Sequence, residues 1–291
     1  MTAFRDIAWA KVNLTLEVLG RRADGYHELL SLVAFAGVGD TVELEPQDAL
    51  DLRVEGPFAA SLAGPNLILT CAEAAKFAIP GLKLGRFRLV KTLPVAAGLG
   101  GGSADAAAVL RLIAKANPGK VTEADLAALA PRLGSDVAVC LRSAPALITG
   151  RGEAVSLVRG FPSCGVLLAN PGVPLATANV YAALGAPPLA APPRAPAPPD
   201  FAGDFAKLID YVRSRGNDLE PAATRLVPQI AEVLAALGAL DGAEVARLSG
   251  SGPTCFALFS TPLEAHRAAG ALAQAEPDWW IAASSLGSPN K

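Results

Sequence analysis

The chain has 291 residues, a length typical of about two domains. Hydrophobic residues make up 52% of it and charged residues 18%, so the chain can bury a large core and is not intrinsically disordered. Its 25 Lys and Arg residues are balanced by 27 Asp and Glu residues, for a net charge of -2. This balance argues against the broadly basic surface of a nucleic-acid-binding domain, although it is compatible with a local basic patch.

The cysteines and the N-terminal segment indicate in which cellular compartment the protein is found. The 4 cysteines form no C-x-x-C pair and are too sparse for a disulfide scaffold, so we expect buried thiols in a reducing compartment. The 2 histidines are too few for a histidine-rich metal site, and we predict no metal-ligating residue. The N-terminal segment lacks the apolar run of a signal peptide, and prolines and glycines interrupt the uncharged stretch 160–193. We therefore expect a cytoplasmic protein with no membrane partner.

Hydrophobic periodicity predicts both strands and helices along the chain. Residues 122–125 have the pattern of a capping box, with Asp125 in the place of the usual glutamate. Residues 187–199 are rich in proline, which predicts an extended surface loop or linker. The order of elements shows no clear parallel strand–helix–strand rhythm and favours an α+β fold. We predict strands over residues 7–19, 26–36, 41–45, 86–91, 137–141, 244–248, 255–259 and 279–283, and helices over residues 66–78, 103–117, 122–133, 201–215, 222–240 and 262–276.

A glycine-rich turn between a predicted strand and a predicted helix is the strongest chemical signal. Gly98-Leu99-Gly100-Gly101-Gly102-Ser103 leaves successive N–H groups open to an anion, and the dipole of the following helix adds positive potential. The serine hydroxyl either contacts a phosphate or Mg²⁺, or caps the helix of an ordinary flexible turn. No Gly-Lys-Ser/Thr follows, which excludes a Walker A loop, and the spacing does not fit a dinucleotide-binding fingerprint.

Two charged residues in apolar surroundings are candidates for catalysis. Asp136 precedes a predicted strand, where it either accepts a proton from a substrate hydroxyl or serves as a capping or solvated carboxylate. Lys11 lies in the segment Trp9-Ala10-Lys11-Val12-Asn13, where it either extends toward solvent or pairs with a buried carboxylate.

Two short segments are candidate ligand contacts. Asp24-Gly25-Tyr26-His27 ends a predicted turn, and its two rings either stack on a nucleobase or pack in the core. Ser249-Gly250-Ser251-Gly252 joins two predicted strands, either as a close approach to a ligand or as an ordinary hairpin. The sequence contains no Gly-x-Ser-x-Gly elbow, which argues against a serine hydrolase.

Together these segments resemble the motifs of the GHMP small-molecule kinases. Residues 94–106 are similar to their phosphate-binding motif, residues 248–253 to their third motif and residues 10–14 to their first. The resemblance spans residues 7 to about 259. It implies an α+β, two-domain GHMP kinase fold with an N-terminal domain over residues 1–157, a C-terminal domain over residues 158–291, and the active site in the cleft between them.

One member family of these kinases is a closer match. Residues 22–27 and the triple glycine are similar to the signature of kinases that use ATP to phosphorylate the 2-hydroxyl of a cytidyl-linked methylerythritol, a step of the non-mevalonate isoprenoid pathway. The resemblance implies ATP and Mg²⁺ as cofactors, a small-molecule substrate, no nucleic-acid partner, and a monomer or homodimer.

The resemblance also implies roles for individual residues. Asp136 matches the catalytic aspartate, and Lys11 matches the lysine paired with it, which keeps the carboxylate ionised and stabilises charge on the reacting oxygens. Tyr26 and His27 match cytosine-recognition positions. Substrate contacts are also expected for Asn13, Thr177, Tyr181 and Gly250, with Asn13 near the erythritol hydroxyls. ATP contacts are expected for Asn66 and Lys91 near the adenosine, and for the loop residues Pro94, Val95, Ala96, Ala97, Gly98, Leu99, Gly100, Gly101, Gly102, Ser103 and Ala104.

Three other functions compete with this one. The first is a GHMP kinase that acts on mevalonate, homoserine or a sugar, but these substrates carry no nucleobase for residues 24–27 to recognise. A nucleotide-binding regulator without catalysis would be expected to lack Lys11 or Asp136, and both are present. A dinucleotide-dependent oxidoreductase conflicts with the glycine spacing. The proline-rich stretch matches no family motif and is either a surface insertion near the substrate side or a contact in an oligomer.

Overall fold

A computed structural model describes residues 3–62, 64, 66–191 and 193–289. Strands and helices both occur along its length, which confirms the predicted α+β class. No helix within the described ranges is long and apolar enough to cross a membrane. The elements are, in chain order, β1 (Phe4–Asn13), β2 (Glu17–Arg21), β3 (His27–Pro46), β4 (Asp51–Glu55), α1 (Leu67–Ala78), β5 (Gly85–Val90), α2 (Gly101–Ala116), α3 (Glu123–Leu133), α4 (Val137–Arg142), β6 (Ala146–Gly150), β7 (Ala154–Leu157), β8 (Cys164–Asn170), α5 (Thr177–Leu184), α6 (Phe205–Arg213), α7 (Glu220–Leu226), α8 (Gln229–Gly238), β9 (Val245–Leu248), β10 (Cys255–Phe259), α9 (Pro262–Ala275) and β11 (Trp280–Gly287).

Two compact units interleave along the sequence. The first comprises Met1–Ala10, Gly39–Val95 and Gly100–Arg142, and the second comprises Lys11–Val38, Ala96–Leu99 and Ser143–Lys291. The predicted division at residues 157 and 158 stays a prediction.

The first unit packs helices on a small sheet. β5 pairs with β4 in parallel and with the end of β3 in antiparallel fashion. The apolar face predicted for α2 is buried, with Ala106, Val109, Leu110 and Ile113 at most 1% exposed. α2 contacts α1 and α4 along this face. The burial of this face fixes the direction of α2 and therefore the position of the glycines at its N-terminus.

The second unit is built on an antiparallel sheet. β8 lies between β11 and β10, β9 pairs with β10, and every residue of β8 is buried. β2 pairs with residues 27–30 of β3 and β6 pairs with residues 29–33, so Leu29 and Leu30 are held from two sides. α8 and α9 contact β10, and their apolar residues join the core of this unit.

One predicted element has the wrong type. Residues 137–141 were predicted as a strand but form helix α4, so Asp136 precedes a helix rather than a strand. The carbonyl oxygen of Asp136 accepts a hydrogen bond from the N–H of Cys140 at 3.0 Å, the first turn of that helix. A short apolar run has no periodicity by which a buried helix can be distinguished from a buried strand. In the folded chain, contacts with α2 favour the helix.

Several boundaries also differ from the predictions. The strand predicted over residues 7–19 is two strands, and the two predicted over residues 26–45 are the single strand β3. The helix predicted over residues 222–240 is broken between α7 and α8, where Pro228 has no N–H to continue the first helix. α6 begins four residues later than predicted because Asp204 caps its N-terminus. The predictions lacked β4, β6, β7, β8 and α5.

Other local predictions are confirmed. Thr122 and Asp125 form the reciprocal hydrogen bonds of a capping box at the start of α3. All four cysteines are buried, and none forms a disulfide bond among the described residues. The described residues of the proline-rich stretch 187–199 form no helix or extended strand, as predicted for a surface loop.

Candidate active site

Gly98 fixes the backbone at the start of the glycine-rich turn. Its φ is 73°, a left-handed conformation that glycine adopts without strain. A Cβ placed on Gly98 would lie 2.2 Å from the carbonyl oxygen of Ser249, which belongs to the other small-residue loop of the same unit. The two loops that sequence analysis singled out therefore meet, and glycine at position 98 is needed for that approach.

The N-terminus of α2 has the features of an anion site. Gly100, with φ 64°, is the N-cap residue and supplies no side-chain hydrogen bond. The first N–H groups of a helix have no partner within the helix and carry the positive end of its dipole. Gly102 is exposed, and a Cβ placed on it would meet no described atom within 4 Å. An anion can therefore approach this backbone directly.

Ser103 is the third residue of α2. Gly100 occupies the N-cap position without a side-chain hydrogen bond, so the interpretation of Ser103 as the N-cap residue is wrong. Its partly buried hydroxyl stands on the first turn, beside the exposed Gly102. It remains a candidate contact for a phosphate or a metal ion bound there.

Lys91 is buried in an ionic network just after β5. Its Nζ donates to Asp40 Oδ2 at 2.5 Å and to Asp105 Oδ2 at 2.8 Å. Burial lowers the pKa of Lys91, but Asp105 and Asp40 raise it more strongly, so the lysine stays charged. The same Nζ lies 3.1 Å from the position of a Cβ on Gly101. Lys91 thus reaches the N-terminus of α2, while its place near the adenosine stays a prediction, and both of its carboxylate partners were missed.

Asp40 and Asp105 differ in their surroundings. Asp40 Oδ1 accepts hydrogen bonds from the backbone N–H groups of Thr92 and Leu93 at 2.6 and 2.8 Å. Asp105, in the second turn of α2, has one buried oxygen with no hydrogen-bond partner among the described residues. Burial raises the pKa of Asp105 to about 7, against the opposing effect of Lys91. A buried lysine needs paired carboxylates, but β5 carries two arginines among its apolar residues, so no sequence signal indicated that Lys91 is buried.

Asn66 has a structural role at α1. It is the N-cap residue of this helix, and its Oδ1 accepts a hydrogen bond from the N–H of Ile68 at 2.9 Å. This fixes the orientation of its side chain.

Of the two predicted catalytic residues, Lys11 lies in β1 and Asp136 lies immediately before α4. Lys11 is 4% exposed in β1, and its backbone N–H donates to the carbonyl oxygen of Leu99 at 2.9 Å. This bond joins the first family motif to the glycine-rich turn within the second unit. Asp136 is partly buried in the first unit, immediately before α4.

Asn13 lies in a polar cluster of the second unit. Its N–H donates to Ser249 Oγ at 3.2 Å, and Ser249 Oγ donates to the carbonyl oxygen of Gly98 at 3.0 Å. Its Nδ2 donates to Ser31 Oγ at 2.9 Å. Its Oδ1 is buried with no hydrogen-bond partner in the described chain and lies 3.1 Å from the position of a Cβ on Gly250. The structure thus brings together Asn13, Gly98 and Gly250, three residues predicted separately as site residues.

A second cluster gathers the aromatic candidates. The rings of His27 and Tyr181 stack with their centroids 4.7 Å apart and an interplanar angle of 29°. Burial lowers the pKa of His27 below its usual value, and the Arg21 cation lowers it further. Tyr26 is 56% exposed, and the guanidinium of Arg151 lies 4.7 Å from its ring centroid. The exposure of Tyr26 contradicts the alternative that it is a core residue, and Arg151 is a neighbour that no sequence signal indicated.

Thr177 lies at the start of α5, four residues before Tyr181. Its hydroxyl shares a hydrogen bond of 2.8 Å with Ser251 Oγ in the loop after β9. This contact joins α5 to the loop that carries Gly250.

Known proteins resemble this chain over nearly its whole length. Residues 66–144 match the profile of the GHMP kinases N terminal domain, and residues 199–278 match that of the GHMP kinases C terminal domain. The chain is 47% identical over 290 residues to the 4-diphosphocytidyl-2-C-methyl-D-erythritol kinase of Rhodopseudomonas palustris, with 97% of each chain covered.

Solved structures extend the similarity to the fold. A crystal structure of 4-(cytidine 5'-diphospho)-2C-methyl-D-erythritol kinase is 34% identical with a TM-score of 0.75, and the match covers 98% of this chain and 99% of that one. A mevalonate kinase from L. major is 13% identical with a TM-score of 0.70, covering 99% of this chain and 97% of that one, and shares the fold alone.

Proposed function

This chain belongs to the 4-diphosphocytidyl-2-C-methyl-D-erythritol kinase family of GHMP kinases, and we propose the division of roles among its residues that follows. The protein is an ATP-dependent kinase that phosphorylates 4-diphosphocytidyl-2-C-methyl-D-erythritol in the non-mevalonate isoprenoid pathway. In the proposal, the accepting group is the 2-hydroxyl of the methylerythritol.

The glycine-rich turn binds the phosphates of ATP in this proposal. The supporting observations are the uncapped N-terminus of α2 and the open space beside Gly102. Backbone N–H groups there meet the phosphate oxygens, and the helix dipole favours their negative charge. In this proposal Asn66 and Lys91 lie near the adenosine, and the Lys91 ammonium, paired with Asp40 and Asp105, stands beside Gly101.

In this proposal, Mg²⁺ would be bound together with ATP. Mg²⁺ in such sites is held by substrate phosphates and one or two protein oxygens, and it neutralises the charge of the phosphates. The described residues contain no group of three or more His, Cys, Asp or Glu side chains that could hold a metal ion by themselves. The hydroxyl of Ser103, on the first turn of α2, is the protein oxygen we assign to this ion.

Asp136 and Lys11 act on the accepting hydroxyl. Phosphoryl transfer depends mainly on positioning and on stabilisation of charge. Asp136 accepts the proton of the 2-hydroxyl as the hydroxyl oxygen bonds to the γ-phosphorus, while the bond from that phosphorus to the β–γ bridging oxygen breaks and ADP leaves. Lys11 stabilises the negative charge on the reacting oxygens.

The remaining predicted residues bind the acceptor substrate. The exposed ring of Tyr26 offers a stacking surface for cytosine, beside the stacked pair of His27 and Tyr181. The unpartnered Oδ1 of Asn13 accepts a hydrogen bond from an erythritol hydroxyl, which compensates the cost of its burial. Thr177 and Gly250 are the other residues that we propose to contact the acceptor substrate.

One broader expectation accompanies these roles. The four buried thiols form no disulfide among the described residues, which supports a reducing compartment, and we assign the protein to the cytoplasm on that basis. The uncapped, glycine-lined start of α2 is the single observation that carries the kinase proposal.

The position of the new phosphate tests the proposed chemistry. Because C2 of 2-C-methylerythritol bears a methyl group, a phosphate on the 2-hydroxyl has no proton on the attached carbon. We expect the ³¹P spectrum of the product to show a new phosphomonoester signal without three-bond proton coupling. A coupled doublet or triplet would place the phosphate on another hydroxyl and overturn the assignment.

A further inference from the structure

The start of the proline-rich stretch is bonded to β2, directly before the turn that carries Tyr26. We call residues 187–189 the strap. The N–H of Arg21 donates to the carbonyl oxygen of Pro187 at 2.7 Å, and the N–H of Leu189 donates to the carbonyl oxygen of Arg21 at 2.7 Å. Pro188 and Arg21 form a parallel β-bridge. The strap therefore extends the hairpin of β2 and β3 by a single β-bridge.

Gly20 makes this close approach possible. A Cβ on Gly20 would lie 3.0 Å from Leu189 Cβ and 3.1 Å from the carbonyl oxygen of Pro187. Leu189 is half-buried, whereas its described neighbours from Pro187 to Ala191 are exposed. The strap is thus packed at one residue and open to solvent around it.

The hydrogen-bonding directions of β2 explain why the strap is needed. Neighbouring residues of a strand direct their N–H and C=O groups to opposite edges. Arg22 N–H bonds to the carbonyl oxygen of Tyr26 across the turn at 2.8 Å, so the groups of Arg21 face the other edge. That edge would be unpaired without the strap.

The chain shortly before the strap makes a second contact, with the strand end on the other side of the turn. Tyr181 of α5 lies a few residues before the strap, and its ring stacks on His27. His27 pairs with Arg21 in the register of β2 and β3. Residues 181–189 therefore hold both strand ends that flank the turn over residues 22–26.

The turn itself is closed by local hydrogen bonds. Tyr26 N–H donates to Asp24 Oδ1 at 3.1 Å, and Arg22 donates to Glu28 Oε2 at 2.7 Å. It can therefore move as one body if its two flanking strand ends are released.

We infer that the strap is a positioning element of the cytosine-binding turn: by pairing with Arg21 it fixes where Tyr26 and His27 meet the base of the acceptor substrate. The substrate in this inference rests on the proposed function. The strap touches no candidate ATP residue among the described contacts, so its effect is expected on the acceptor alone.

Leu189→Pro tests the inference because it deletes one N–H donor and suits an extended segment that already contains prolines. The matched control is Ala197→Pro, an exposed position in the same stretch whose N–H makes no hydrogen bond within the described chain. Leu189→Ala is the second variant, because it keeps the N–H and removes only the packing on Gly20.

Two readouts decide the outcome. Amide hydrogen exchange over residues 20–28 should rise about tenfold in Leu189→Pro and stay unchanged in Ala197→Pro, as expected for the loss of one hydrogen bond. KM for the cytidyl substrate should rise about tenfold in Leu189→Pro and less in Leu189→Ala, while kcat, KM for ATP and the melting temperature stay near wild type.

Two results would overturn the inference. One is unchanged exchange over residues 20–28 in Leu189→Pro. The other is an equal loss in kcat and in both KM values, which indicates a general structural role. A failure of the proposed function looks different: the wild-type protein would not turn over the cytidyl substrate, and the exchange comparison would still decide whether the strap holds the turn.

Discussion

Lys91 and Asp105 form a buried ion pair, with 2.8 Å between Nζ and Oδ2, that ties the end of β5 to the start of α2. Asp40 shares the same ammonium group from β3. The network places both the Lys91 ammonium and the Asp40 carboxylate beside Gly101 and is closed within the first unit. The position of the backbone that we propose to bind phosphate therefore depends on side chains outside the glycine-rich turn over residues 98–103.

The burial of Asp105 predicts a specific dependence of stability on pH. Burial raises its pKa to about 7 in the folded protein, from an ordinary value of 3.8. Between about pH 4 and pH 7 the folded chain holds a proton that the unfolded chain has released, so the free energy of unfolding falls as pH rises. Asp105→Asn should flatten this decline in urea unfolding measured across the same range. Parallel curves for the two proteins would contradict the assignment.

Asp125 provides the control of opposite sign. Its hydrogen bonds with Thr122 lower its pKa, so its contribution is present above the unfolded pKa and is lost as pH falls. Asp125→Asn should therefore remove a stability loss at acidic pH and leave the decline between pH 4 and pH 7 in place.

Two glycines of the phosphate loop are expected to respond differently to alanine. Gly98→Ala introduces strain at a φ of 73° and a contact of 2.2 Å with the Ser249 carbonyl oxygen, so we expect destabilisation of about 1–3 kcal/mol. Gly102→Ala has open space and stabilises the helix by up to about 1 kcal/mol. It should nevertheless raise KM for ATP, because its methyl group occupies the approach of the phosphates. Thermal melts and ATP kinetics on both variants check this contrast; wild-type ATP kinetics in Gly102→Ala would count against the site.

The stack of His27 and Tyr181 predicts a ring-dependent effect on the acceptor substrate. Tyr181→Ala removes a stacked ring, and stacking contacts are worth about 1–3 kcal/mol per base. We expect kcat/KM for the cytidyl substrate to fall roughly ten- to hundredfold and KM for ATP to stay unchanged. Tyr181→Phe keeps the ring and should retain most of the activity. An alanine variant as active as the phenylalanine variant would exclude a role for the stack.

The proposed roles of Asp136 and Lys11 predict losses in kcat. Asp136→Asn removes the proton acceptor and should lower kcat by about 10²-fold or more, with little change in either KM. Lys11→Met should do the same through loss of charge stabilisation. Asp125→Asn, an exposed carboxylate outside the site, is the kinetic control. Near wild-type turnover in Asp136→Asn would remove its role as a base.

Local signals in the sequence predicted much of the fold. Turn glycines, caps and the apolar face of α2 are short-range features, and the capping box at Thr122 and the burial of Val109 and Ile113 follow from them. The identity of α4 could not be predicted, because six residues with mixed burial carry no period. Its helical state comes from contacts with α2, which are distant in sequence.

In the candidate site, too, local motifs could be predicted from the sequence, whereas contacts between residues distant in sequence could not. Motif spacing predicted Gly98, Asn13 and Gly250 as separate candidates, and their proximity was visible only in the folded second unit. Asp40 was missed because a single carboxylate inside a strand has no local pattern. Its role depends on Lys91, which lies 51 residues away along the chain.

The most direct test of the whole account is a comparison of acceptors by ADP release, using purified protein, ATP and Mg²⁺. The acceptors are 4-diphosphocytidyl-2-C-methyl-D-erythritol, mevalonate, homoserine and galactose, each at matched concentration. The account predicts turnover on the cytidyl compound alone. Turnover on one of the other alcohols but not on the cytidyl compound would contradict it, and would separate the phosphate loop from the base-recognition role of Tyr26, His27 and Tyr181.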